Sequence, residues 1–136
     1  MLQTDCGTQR EGSETGTISV QELRDSLLAN PGLFVVDVRT QPEWEMQRIV
    51  GIKKYIPYDQ LPSRHAELGV SSDTPIYLIC RVGNRSGVAA EMLSDLGYKN
   101  TINVLGGTVA WVEEGFPSES GPITPAAAPD TGNGSE

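Results

Sequence analysis

Two nearly uninterrupted apolar runs constrain the fold of this chain most strongly. Residues 33–38 read Leu-Phe-Val-Val-Asp-Val, and residues 76–80 read Ile-Tyr-Leu-Ile-Cys. Such β-branched runs without regular polar alternation are typical of strands that are covered on both faces of a parallel sheet. Parallel strands need crossover connections, and helical patterns separate these two runs. The sequence therefore predicts an α/β fold with a central, mostly parallel sheet.

Helix-start signals support this interpretation. In a capping box, a Ser or Thr side chain and a Glu three residues later satisfy free N–H groups at a helix start. Ser19 with Glu22 and Thr40 with Glu43 fit this pattern, which predicts helices over 20–29 and 41–48. The remaining predicted elements are a weaker strand at 53–56, a helix at 59–68 ending at Gly69, a helix from Ser86 to Gly97, a strand at 101–105 and a helix from 107 toward Gly115.

The length of 136 residues fits one domain. Residues 1–16 and 118–136 are polar and rich in small residues, and we predict that both are disordered tails around a folded domain at 17–117. No apolar run is long enough to cross a membrane. The first 16 residues lack an apolar signal segment, and two cysteines do not make a disulfide framework, so we expect a cytoplasmic protein.

Charge and histidine content narrow the classes of function. The formal net charge is −8, five of these negative charges lie in the two predicted tails, and no basic stripe is present. Nucleic-acid binding is therefore not expected. His65 is the only histidine, and its polar helical surroundings predict a solvated side chain. A Cys–His protease is disfavoured, and we expect no metal and no cofactor.

Cys80 ends the second apolar strand and precedes a short loop. The next helix begins near Ser86, so this loop lies at the carboxyl edge of the sheet, where α/β proteins bind ligands. Gly83 permits a left-handed backbone, which lets successive N–H groups point inward and surround an anion. A thiol beside such groups and a helix N-terminus is biased toward the thiolate. Cys80 is thus a candidate nucleophile that needs no histidine.

The chemistry that fits this loop is sulfur transfer. The Cys80 thiolate can attack the outer sulfur of a small anion and carry that sulfur as a persulfide. The spacing allows one or both of Arg81 and Arg85 to lie at the mouth of the pocket and attract the anion. The alternative is a buried structural cysteine followed by two solvated arginines.

Four motifs follow one another along the chain. The loop at 80–86 reads Cys-Arg-x-Gly-x-Arg-Ser, and the other three motifs are Val36-Asp37-Val38-Arg39 with Glu43 and Trp44, then Ile49-x-Gly51 with Ile56-Pro57, and Gly106-Gly107-x-x-Ala110-Trp111. In this order they resemble the single-domain rhodaneses over about residues 19–117, and the loop at 80–86 resembles the active-site loop of that family.

The resemblance implies a three-layer α/β sandwich with a five-stranded sheet and a sulfurtransferase activity. It implies Cys80 as the persulfide carrier, and Asp37 and Arg39 near the site, although these two can equally form a structural ion pair. The donor would be thiosulfate or a persulfide, the acceptor a thiol or a sulfur-carrier protein, and the protein a monomer or weak dimer. The backbone that would hold the sulfur belongs to Arg81, Val82, Gly83, Asn84, Arg85 and Ser86.

Three alternatives stay open within this resemblance. Residues 48–51 read Arg-Ile-Val-Gly where the family commonly has His-Ile-Pro-Gly. Arg48 and the segment at 76–81 resemble the corresponding parts of rhodanese domains that are attached to sulfur-carrier activating enzymes. Rhodanese-like domains also serve as non-catalytic interaction modules, usually without the cysteine. Related phosphatases and arsenate reductases have five residues between Cys and Arg, whereas Cys80 and Arg85 enclose four, which disfavours that chemistry.

Overall fold

The computed structural model describes residues 14–122, with side chains from residue 16 onward. Single-turn 3-10 helices lie at Tyr58–Gln60 and His65–Leu68. The strands and helices are β1 (Glu14–Ser19), α1 (Val20–Ala29), β2 (Val35–Asp37), α2 (Gln41–Met46), β3 (Arg48–Ile49), β4 (Lys54–Tyr55), α3 (Leu61–Arg64), β5 (Ile76–Ile79), α4 (Asn84–Asp95), β6 (Asn100–Leu105), α5 (Gly107–Glu113) and β7 (Ser118–Glu119).

The central sheet has five strands in the order β1-β6-β5-β2-β4, and every neighbouring pair is parallel. The predicted α/β class and parallel sheet are confirmed. A separate antiparallel pair joins β3 to β7. Strand β5 occupies the middle of the central sheet, so the residue that follows it, Cys80, lies at the centre of the carboxyl edge.

Two apolar clusters fill the space between the sheet and its helices. On one face, Leu78 and Ile76 of β5 pack with Leu61 of α3 and Leu93 of α4. On the other face, the core combines side chains from α1, α5 and the sheet, and its members are Val20, Leu23, Val35, Ile49, Ile79, Val104 and Trp111. These clusters create the predicted three layers.

The predicted capping boxes both form. The Glu22 N–H donates to Ser19 Oγ at 3.1 Å, and the Ser19 N–H donates to Glu22 Oε1 at 3.0 Å. At the start of α2, the Thr40 N–H donates to Glu43 Oε1 at 3.1 Å. These bonds satisfy N–H groups that the helices themselves leave without a partner.

The predicted helix at 59–68 is interrupted in the structure. Only Leu61–Arg64 is α-helical, and 3-10 turns flank it on both sides. Pro62 explains the interruption, because proline has no N–H to donate to the carbonyl one turn earlier. Gly69 ends the segment with a left-handed φ of 69°, as its position predicts.

Ordered strands extend beyond both predicted domain boundaries. Strand β1 begins at Glu14, before residue 17, and β7 follows residue 117. β1 lies at an edge and pairs only with β6, so it does not need the continuous apolar run that marks a central strand. Residues 1–13 and 123–136 of the two predicted tails lie outside the described range. Within that range, no helix has the length and hydropathy to span a bilayer.

Candidate active site

The sulfur of Cys80, the nucleophile predicted from the sequence, lies directly after β5. Only 1% of the residue is exposed. Its Sγ accepts hydrogen bonds from the Gly83 N–H at 3.1 Å and from the Ser86 hydroxyl at 3.2 Å. Both donors belong to the loop that precedes or begins α4. The structure therefore brings the sequence-predicted loop around the thiol.

The loop folds this way because α5 binds its carbonyl groups from the outside. The Thr108 N–H and hydroxyl donate to the Cys80 carbonyl at 2.9 and 3.1 Å, and the Val109 N–H donates to the Arg81 carbonyl at 3.1 Å. Gly83 has a φ of 119°, a left-handed backbone that glycine adopts without strain. With the carbonyls bound on the α5 side, the N–H groups can face Sγ.

Gly107 permits the close approach of α5 to this loop. Its φ is 58°, and a β-carbon at this position would overlap the carbonyl oxygens of Cys80 and Arg81. Any side chain here would push the loop away from the start of α5. The second glycine of the Gly106-Gly107 motif thus keeps the Cys80 backbone in place.

The surroundings of Cys80 act on its pKa in opposite directions. Burial raises the pKa of the thiol, because a buried thiolate loses contact with water. The hydrogen bond from the Ser86 hydroxyl and those from the N–H groups of Ser86, Gly83 and Val82 lower it, and together they hold the pKa below its ordinary value. The loop therefore favours the thiolate more than water does.

Arg85 is paired rather than open to solvent. Its two terminal nitrogens donate to the Glu43 carboxylate at 2.8 and 2.7 Å, which joins α4 to α2. These bonds, together with those from the Thr40 N–H and hydroxyl, lower the pKa of Glu43 to about 2. Arg81 is exposed and, with residues of α2 and α5, lines a cleft of about 330 Å³. Among the ion pairs of the described residues, Arg85 contacts a carboxylate and Arg81 does not.

Asp37 and Arg39 form a buried ion pair at the end of β2. Arg39 Nε lies 2.9 Å from Asp37 Oδ1, and Arg39 Nη2 lies 2.7 Å from Asp37 Oδ2. The same Nη2 donates to the Gln47 carbonyl at 2.8 Å. Asp37 is in register with Ile79, the residue before Cys80. The ion pair thus ties β2 to the end of α2 beside the site. It is an ion pair of the structural kind that the sequence left open for these two residues.

Comparison with known proteins identifies the family. The family model of the rhodanese-like domain matches residues 19–114. This chain belongs to the rhodanese-like family. The predicted resemblance is confirmed, and the helices and parallel sheet of the structure form a rhodanese-like fold.

Its rhodanese-like relatives include proteins named for sulfur transfer. The probable adenylyltransferase/sulfurtransferase MoeZ of Mycobacterium tuberculosis is 30% identical over 104 residues, which span 76% of this chain and 26% of MoeZ. A sulfurtransferase of Allochromatium vinosum is 32% identical, with 74% of this chain and 91% of that protein covered. The crystal structure of a rhodanese-related protein from Thermoplasma volcanium has 33% identity and a TM-score of 0.66, and the alignment covers 76% and 97% of the two chains.

One residue of this rhodanese-like site, Asn103, is absent from the sequence-predicted set. It lies on β6, mostly buried, and its Nδ2 donates to the Gly83 carbonyl at 3.1 Å. Its Oδ1 lies 2.5 Å from the Ser86 hydroxyl oxygen, which makes it a second acceptor within reach of that hydroxyl. The sequence does hold one indication of this role, which is an Asn side chain within a predicted buried strand. A buried amide needs hydrogen-bond partners, and here the Cys80 loop provides them.

The remaining predicted residues occupy the edge of the site or lie elsewhere. Val82 and Asn84 are exposed on the loop.

His65 is half-buried, and its Nδ1 lies 3.0 Å from the Tyr98 hydroxyl, so the prediction of a solvated histidine is wrong. Among residues 14–122, no cluster of three or more His, Cys, Asp or Glu side chains is arranged to hold a metal ion.

Proposed function

We propose that this rhodanese-like protein transfers a sulfane sulfur from a small anionic donor to a thiol or another nucleophile through a persulfide on Cys80. The observation that carries the proposal is the pair of donors on the sulfur, the Gly83 N–H at 3.1 Å and the Ser86 hydroxyl at 3.2 Å. Because these groups lower the pKa of Cys80, the nucleophilic thiolate is available without a histidine.

The first half-reaction loads the sulfur. The Cys80 thiolate attacks the outer sulfur of thiosulfate, a new S–S bond forms, and sulfite leaves with the electron pair of the bond that breaks. With a persulfide as donor, the leaving group is a thiolate instead. In the second half-reaction an acceptor thiolate attacks the outer sulfur, and Cys80 leaves as a thiolate. The cycle needs no cofactor and no external oxidant.

The loop would hold the anionic sulfur at each stage. In this proposal the backbone of Arg81, Val82, Gly83, Asn84, Arg85 and Ser86 supplies N–H donors to the outer sulfur. Exposed Arg81 attracts the donor, while Arg85 acts mainly by holding the loop against Glu43. Asp37 and Arg39 support the site indirectly by fixing the end of β2.

We propose thiosulfate or a persulfide as the donor, and a thiol or a sulfur-carrier protein as the acceptor. The names of the relatives support sulfur transfer as the class of reaction, since both the Mycobacterium and the Allochromatium proteins are named as sulfurtransferases. We further propose that the protein works in the cytoplasm as a monomer or weak dimer.

Turnover assays with matched cysteine variants test this function. The second cysteine of the sequence, Cys6, lies outside the described residues and serves as the control. The Cys6→Ser variant should turn over thiosulfate as fast as the wild type, with either cyanide or a dithiol as acceptor, whereas Cys80→Ser should be inactive. Persistent turnover in Cys80→Ser would contradict the proposal. Hydrolysis of an aryl phosphate that Cys80→Ser abolishes would favour the phosphatase alternative, and inactivity with every sulfur donor would favour an interaction module.

A further inference from the structure

The Ser86 hydroxyl lies between two acceptors but has only one proton. Its Oγ is 3.2 Å from Cys80 Sγ and 2.5 Å from Asn103 Oδ1. Both acceptors cannot receive that proton in one state. Ser86 is completely buried, so no bulk water competes for it. The position of this proton must therefore depend on which acceptor carries the greater negative charge.

The orientation of the Asn103 amide is determined by its other contact. The Asn103 Nδ2 donates to the Gly83 carbonyl at 3.1 Å. If the amide were turned over, its oxygen would face that carbonyl, and two acceptors would oppose each other. Asn103 Oδ1 therefore faces Ser86, and the O···O distance of 2.5 Å is that of a short hydrogen bond with the Ser86 hydroxyl as donor.

We propose that Asn103 is a positioning residue that holds the Ser86 proton while Sγ of Cys80 is uncharged and releases it to Sγ when the thiolate forms. In the thiol state, the S–H group of Cys80 donates to Ser86 Oγ, and Ser86 donates to Asn103. Loss of the thiol proton to solvent leaves a charged acceptor on Sγ, and the Ser86 hydroxyl rotates toward it. A charged sulfur is a stronger acceptor than a neutral amide oxygen.

In the catalytic cycle this rotation would occur twice per turnover, a consequence that rests on the proposed function. When Sγ attacks the donor, its electron pair forms the new S–S bond and the leaving group takes the pair of the bond that breaks. Sγ is then neutral, the outer sulfur of the persulfide carries the negative charge, and the Ser86 proton returns to Asn103. When the acceptor removes that outer sulfur, Sγ leaves with the electron pair and again receives the Ser86 hydrogen bond. Asn103 thus lowers the energy of the states with a neutral Sγ, and Ser86 that of the charged state.

A double-mutant cycle isolates this coupling. The pH midpoint of iodoacetamide alkylation would be measured for Asn103→Leu, Ser86→Ala and the double variant, all in a Cys6→Ala background. The Asn103→Leu change also removes the bond to Gly83, but that loss is present with or without Ser86, so the cycle cancels it. The charged groups around Cys80, which are the Asp37–Arg39 pair, the Glu43–Arg85 pair and Arg81, stay unchanged throughout.

The proposal predicts a definite sign. Removal of Asn103 should lower the pH midpoint of alkylation by about half a unit more when Ser86 is present than in Ser86→Ala. This is about a threefold change in the thiolate equilibrium, the size expected for one neutral hydrogen bond. A coupling of zero or of opposite sign would overturn the proposal, since Asn103 would then be a structural residue or would help Ser86 bind the thiolate. Thr108→Val, combined with Asn103→Leu in place of Ser86→Ala, is the matched control. The Thr108 hydroxyl donates to the Cys80 carbonyl and not to the sulfur, so this pair of substitutions should show no coupling.

A measurement on the unaltered loop covers the case in which the Leu variant does not fold. The side-chain carbonyl resonance of Asn103, followed by carbon NMR, should shift with the titration of Cys80 as the Ser86 bond is lost. The shift should disappear in Ser86→Ala. A resonance that ignores the Cys80 titration would contradict the proposal. Neither experiment involves sulfur transfer, so the coupling can be present even if the turnover assays fail.

Discussion

The Ser86 hydroxyl is the side-chain donor that contacts the Cys80 sulfur, and its loss should have a measurable cost. A hydrogen bond to a charged group contributes about 1.5–3 kcal/mol. Ser86→Ala should therefore raise the pKa of Cys80 and slow persulfide formation from thiosulfate at neutral pH by about tenfold or more. Stopped-flow release of sulfite would measure this rate. An unchanged rate would mean that the N–H groups of the loop alone stabilise the thiolate.

The lowered pKa of Cys80 also predicts a pH dependence. In Cys6→Ala, alkylation of Cys80 should rise with pH through a midpoint below the ordinary thiol value of about 8.5. A depressed pKa means that the thiolate stabilises the fold above the ordinary pKa, and that this contribution disappears as pH falls through the folded pKa. Urea unfolding across the same pH range should show this increase in stability. Glu43, with a pKa of about 2, stays ionised throughout that range.

An alkylation midpoint at or above the ordinary pKa of a thiol would contradict the lowered pKa of Cys80.

The sequence predicted Cys80 and its loop because Gly83 and the following helix start indicate an anion site. It missed Asn103, because only the pairing of β5 with β6 brings that side chain to the loop. It left open whether Arg81, Arg85 or both lie at the mouth, since nothing in the loop sequence indicates the pairing of Arg85 with Glu43.

At the scale of elements, the contact of α5 with the Cys80 loop depends on Gly107. Gly107→Ala would combine a left-handed φ with a clash against two carbonyl groups, and we expect a loss of about 2–4 kcal/mol in the free energy of unfolding. Gly97→Ala is the matched control, because φ is 105° there but nothing lies within 4 Å of the added β-carbon. It should lose about 1–2 kcal/mol. Urea denaturation that gave equal losses would contradict this role of Gly107.

The elements that the sequence predicts well have local signals. Capping boxes fixed the starts of α1 and α2, and continuous apolar runs fixed β2 and β5. The elements it missed depend on partners far away in the chain. The edge strand β1 pairs only with β6, and the short strand β3 pairs with β7, so neither shows a distinctive local pattern.

At the scale of the whole molecule, β7 returns the chain to the segment that follows α2. Buried Arg48 donates to Glu119 Oε2 at 3.0 Å and to the Gly121 carbonyl at 2.8 Å. A chain that ends after residue 117 should be less stable than one that ends after residue 122 by about 1–3 kcal/mol, because Arg48 would lose these partners. Equal stability of the two chains by urea denaturation would show that Arg48 and β7 are not energetically linked.

The central claim is a persulfide on Cys80, and intact mass spectrometry tests it most directly. After incubation with thiosulfate, the wild type and Cys6→Ala should each gain the mass of one sulfur, about 32 Da, while Cys80→Ala should gain none. Cyanide or a dithiol should remove the added sulfur. A gain that persists in Cys80→Ala, or no gain with either thiosulfate or a persulfide donor, would contradict the account.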